Sequence, residues 1–98
     1  MSWTHEQKLA AWNKAKTVGE NDSKVWRQDD CDAWIKWSEY GNRDSQYGWE
    51  MDHITSQDHG GGDEDSNLRA LRWENNVSKG EGRLKCAVTS NGTNNAPV

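Results

Sequence analysis

Hydrophobic positions are sparse in this chain, and they recur with two different periods. Over residues 4–18, Leu9, Trp12, Ala15 and Val18 stand three apart. That spacing drifts by about 60° per step around a helix, giving a slanting apolar stripe instead of a tight seam. The stretch opens with Thr4-His5-Glu6-Gln7, a capping box, and Trp3 precedes it where a staple residue would stand. A helix over 4–18 is the expectation. Gly19-Glu-Asn-Asp-Ser23 is turn chemistry that ends it, and residues 24–32 read as a connection with at most one helical turn.

The second period is two. Ala33 to Trp37 and Tyr47 to Ile54 are the strand candidates, the latter placing Tyr47, Trp49 and Met51 on one face. The polar Ser38 to Gln46 between them reads as the loop of a hairpin. Gln57 to Ser66, with Gly60-Gly61-Gly62 and four acids, reads as a loop. Asn67 to Lys79 then reads as a helix, capped by Ser66 or Asn67 and stopped by Gly80. The order helix, strand, strand, helix makes an α+β chain of one domain, residues 1–88, followed by a disordered tail over 89–98.

Composition changes the picture of the core. The hydrophobic fraction is 32%, Phe is absent, and Trp occurs seven times. Each Trp can remove roughly 150 to 250 Å² from water, so a core built largely of tryptophan is expected. A chain of 98 residues buries only about 60 to 70% of its unfolded surface and supports one core. No apolar run approaches the roughly 20 residues that span a membrane, and the reading is a soluble cytoplasmic protein. Cys31 and Cys86 have no CxxC partner or histidine at ligand spacing, so the expectation is two reduced thiols.

Charge is uneven. The net charge is −4, which taken alone argues against a polyanion ligand. Residues 1–66 hold seven Lys/Arg against fourteen Asp/Glu, whereas residues 67–98 hold five against two. The last third is therefore locally basic.

The stretch Trp49-Glu-Met-Asp-His-Ile54, followed by Gly61-Gly62, Asn67-Leu68 and Asn76-x-x-Lys79, resembles the HNH endonuclease family over about residues 31–80. The resemblance implies a small ββα-metal core, a two-stranded antiparallel hairpin packed on a helix, to which the N-terminal helix is an addition. It also implies a division of roles. Asp52 and Asn76 would hold one divalent cation, Mg²⁺ or Mn²⁺; His53 would be the general base; Asn67 would hold the loop and orient His53. Many members pin this fold with two CxxC pairs on zinc, but the corresponding helix positions are Arg72 and Asn75. No structural zinc is expected, and Trp34, Trp37, Trp49 and Trp73 are the candidates to replace it.

The chemistry suits these residue types. Phosphodiester hydrolysis needs an activated water and stabilisation of charge on the phosphate and leaving oxygen. A hard cation on oxygen ligands supplies the latter, and histidine is suited to proton transfer near neutral pH. Adjacent residues on a regular strand face opposite ways, so the strand must end or twist at Asp52-His53. On a helix, Asn76 would lie near Arg69, Arg72 and Lys79, placing DNA phosphate contacts beside the metal. A homodimer or a targeting partner would serve double-strand cutting or delivery, respectively. Against this stands the bland reading, an exposed strand end with a solvated acidic loop, in which Asp58, Asp63, Glu64 and Asp65 have no role. The competing functional class is a non-catalytic nucleic-acid or protein interaction module that keeps the fold.

Overall fold

The computed structural model describes residues 2–98. The capping box closes as its sequence requires: Gln7 N donates to Thr4 Oγ1 and Thr4 N to Gln7 Oε1, both at 3.0 Å. Helix α1 runs His5–Lys14, shorter than the expected 4–18. It stops because Ala15 is extended and the backbone of Lys16 pairs in both directions with Gln28, at 2.8 and 2.9 Å.

The segment read as a connection contains a strand. β1 (Trp26–Gln28) pairs antiparallel with β2 (Trp34–Lys36). Asp29 closes the turn between them, its Oδ1 accepting from Cys31 N and Ala33 N at 2.9 Å each. Asp32 takes the left-handed conformation at φ 60°, which aspartate tolerates better than most residues.

The hairpin expected between Ala33–Trp37 and Tyr47–Ile54 does not form. β3 (Trp49–His53) pairs antiparallel with β4 (Leu68–Arg72), with Asp52 opposite Arg69 and His53 opposite Leu68. β4 is the first part of the segment read as a helix, and helix α2 is confined to Trp73–Lys79. Asn67 and Ser66 consequently cap nothing; Asn67 ends a single 3-10 turn before β4. The fold is α+β, with the order β3, long loop, β4, α2 in its C-terminal half.

The last ten residues, expected to be disordered, form most of a hairpin of β5 (Val88–Asn91) and β6 (Asn94–Pro97). Hydrogen bonds dock it where apolar side chains are lacking. Asn95 exchanges bonds with the Trp34 backbone at 2.7 and 2.9 Å, Trp34 Nε1 donates to Gly92 O at 2.7 Å, and the Tyr47 hydroxyl to Thr93 O at 2.8 Å.

The core lies between α1 and the β3–β4 hairpin: Ala11, Trp12, Ile35, Trp49, Met51, Leu68 and Ala70. It therefore reaches beyond residues 31–80 to include α1. Trp12, Trp37 and Trp49 stack mutually with ring centroids 5.3 to 5.5 Å apart, the tryptophan core the composition calls for. Trp34 and Trp73 pack elsewhere, against Trp26 and Arg72 respectively.

A second, polar hub sits behind α2. Asp29, 1% exposed, also accepts from Arg72 N at 2.9 Å and Asn75 Nδ2 at 3.0 Å through Oδ2. Burial pushes its carboxyl above the usual range, against the pull of these donors. Asn75 in turn accepts from Ala87 N and Val88 N. Beside this hub Cys31 and Cys86 are joined in a disulfide, correcting the reading of two free thiols. The spacing of 55 residues conceals a pair that the β1–β2 turn and the approach to β5 bring together.

Candidate functional site

The two faces of β3 do different work. Trp49 and Met51 enter the core, while Glu50 and Asp52 meet α2. Asp52 is 4% exposed, and a carboxylate so buried is costly without partners. Arg69, its neighbour across the hairpin, donates from Nε to Oδ2 at 2.8 Å, and Lys79 Nζ stands 3.3 Å from Oδ1. Arg69 also reaches Asp30 Oδ2 at 3.0 Å.

Glu50 orients the other helical residue. Asn76 Nδ2 donates to Glu50 Oε1 at 3.0 Å, and Arg43 grips the same carboxylate through Nε and Nη2 at 2.7 and 2.9 Å. The bond from Arg43, with that from Asn76, holds the Glu50 carboxyl below its ordinary value. The Asn76 amide oxygen accepts no hydrogen bond among the described residues.

Asp52, His53, Asn76 and Lys79 line one cavity of about 230 Å³, with Ser56 and Asp58 among its other walls. Asp52 and His53 both border it although they are adjacent; β3 ends at His53, where the chain turns into the loop. His53 Nε2 lies 2.7 Å from Asp63 Oδ1, and the Trp3 ring packs at 5.4 Å from the imidazole.

Asn67 straps the loop. Its Oδ1 accepts from Thr55 N at 2.8 Å, and its Nδ2 donates to Thr55 O at 3.0 Å and Gly62 O at 2.8 Å. It makes no direct hydrogen bond to His53. Gly61 is required here, since a Cβ would overlap the Thr55 carbonyl.

The three cations expected to face DNA are placed differently. Arg69 and Arg72 belong to β4, not to a helix face shared with Asn76. Arg69 is held by Asp52 and Asp30. Arg72, 3% exposed, pairs with Glu74 at 2.7 Å and lies over the Trp73 ring; burial lowers its pKa. Only Lys79 borders the cavity. Arg83 and Lys85, in the segment after α2, are exposed and carry no ion pair among the described residues.

The bonded partners of these side chains are harder to read from the sequence than the side chains themselves. Asp63 was one of four acids in a polar loop, with nothing to single it out. Glu50 carried one clue, its strand phase shared with Asp52. Among the described residues, no three His, Cys, Asp or Glu side chains gather as a metal-binding group. Comparison with protein-family models, curated proteins and solved structures returned no match.

Proposed function

We propose that the protein is a metal-dependent DNA endonuclease of the HNH type, with β3, β4 and α2 as its ββα-metal core. One observation carries this reading: Asp52 and His53 from a strand end share a polar cavity with Asn76 and Lys79 from a helix distant in sequence.

The donors suit one hard cation. Asp52 offers a carboxylate and Asn76 an amide oxygen free of protein donors, leaving positions for water and phosphate. Lys79 competes for Asp52 Oδ1 in their absence. Bound there, Mg²⁺ or Mn²⁺ supplies Lewis-acid stabilisation of the phosphate. His53 takes the proton of the attacking water. Lys79 offers its ammonium to a phosphate oxygen, Arg69 holds Asp52 in place, and Arg72 serves packing. Arg83 and Lys85 are the exposed cations available to the flanking backbone.

The test is conversion of supercoiled plasmid with Mg²⁺ or Mn²⁺, the disulfide intact. His53→Ala should lower the rate by about 100-fold or more, and EDTA should stop it. Equal rates in wild type and variant would remove His53 from the chemistry, and EDTA-insensitive cutting would remove the metal. Salt-dependent DNA retention without nicking or divalent-ion binding would make the protein a binding module instead.

A further inference from the structure

We propose that Asp63 is the positioning residue for His53, and that Asn67 acts on His53 through it. The catalytic consequence rests on the nuclease reading; the positioning itself does not.

Asp63 lies in a glycine-rich acidic loop, the kind of segment that normally leaves a side chain free to wander. Its two neighbours are nevertheless fixed. Gly62 O accepts from Asn67 Nδ2 and Glu64 O from Asn67 N, each at 2.8 Å. The chain on either side of Asp63 is thus fastened to one buried residue, Asn67, 8% exposed. From that anchored position Asp63 Oδ1 reaches His53 Nε2 at 2.7 Å.

A carboxylate accepts hydrogen bonds, so this contact favours the tautomer in which Nε2 donates. Nδ1 is then the imidazole nitrogen with the lone pair, and no protein group among those described bonds to it. The Trp3 ring, tilted 53° at 5.4 Å, packs against the imidazole and restrains its rotation. The loop strap, the carboxylate and the indole together select one tautomer and one ring orientation before any substrate arrives. This gives Asn67 a route to the base without a contact.

The experiment is ¹⁵N NMR of the imidazoles in the oxidised full chain at mildly alkaline pH, with nicking assays alongside. Wild-type His53 should show a single Nε2-protonated tautomer with a protected Hε2. In Asp63→Ala its nitrogen shifts should move toward the averaged values of free imidazole, with partial recovery in Asp63→Glu. Asp63→Ala should lower kcat by about 10 to 100-fold with KM for DNA little changed, and the loss should vanish in a His53→Ala background. Averaged nitrogen shifts in wild type, shifts unmoved by Asp63→Ala, or an equal loss without His53 would each overturn the assignment. A wild type that cuts nothing but shows the tautomer change would refute the nuclease reading and leave the positioning intact.

Discussion

Glu50 is where the chemistry of the site meets its stability. Its carboxyl is held below the ordinary 4.5 by Arg43 first and by Asn76 after it. A carboxyl lowered by folding contributes stability that is fully present above its unfolded pKa and lost as pH falls through the folded value. The expected outcome is that acidification below about 4.5 lowers the urea midpoint and frees Asn76 from its partner. Glu50→Gln should flatten that part of the stability profile, measured by urea denaturation between neutral and acid pH. Asp29 acts in the opposite sense. Its raised pKa gives a contribution present in acid and lost as pH rises through the folded value, so it does not drive acid unfolding. The two carboxylates bond consecutive residues of α2, Asn75 and Asn76, yet only Glu50 couples protonation to a residue of the candidate site.

At the scale of elements, the loop between β3 and β4 is the piece that must close for the site to exist. Asn67→Ala removes three hydrogen bonds to backbone groups and should cost about 1 to 3 kcal/mol. Gly61→Ala should be at least as damaging, because the obstruction is backbone and cannot swing aside. Hydrogen exchange should report both as faster opening of residues 55–67. The same stretch shows why β4 was misread. Leu68, Leu71 and Asn75 fall at helical spacing, while the strand signal, Leu68 and Ala70 inward, is only two residues long. Arg69 and Arg72 look like solvent-facing helix charges until their partners are known, Asp52 and Asp30 for Arg69 and Glu74 for Arg72. Asn67 and the Asp-His pair stand out in the sequence because their residue types are themselves the signal. Asp63 could not, since a carboxylate among carboxylates gains meaning only from what it touches. The capping box of α1 was legible because it is local, whereas β1 and the C-terminal hairpin were not, being short and polar and held by partners far along the chain.

At the scale of the molecule, the fold leans on a covalent bond that spacing alone did not disclose. Closing a 55-residue separation is worth about 4 kcal/mol in chain entropy, a large part of the margin of a small domain. Reduction should therefore lower the thermal midpoint by about 20 °C, read by circular dichroism with and without dithiothreitol, and Cys31→Ser with Cys86→Ser should reproduce it. Such bonds persist in oxidising compartments and are rare in reducing ones. Among the described residues no helix is long and apolar enough to cross a membrane.

Cys31 and Cys86 also divide the molecule by kind of attachment. Asp52, His53, Asp63, Asn67, Asn76 and Lys79 all lie between them, inside a closed ring, so the bond limits the unfolded freedom of the whole segment that carries β3 and α2. Helix α1 and Trp3 lie outside. They are held by Trp12 in the core and by Lys14, whose ammonium caps the carbonyls of Asp65 and Leu68. The candidate site thus lies within a covalently closed segment, while the indole beside His53 is held by packing and by the hydrogen bonds of Lys14. Loosening of α1 would leave the ring whole and let its histidine turn.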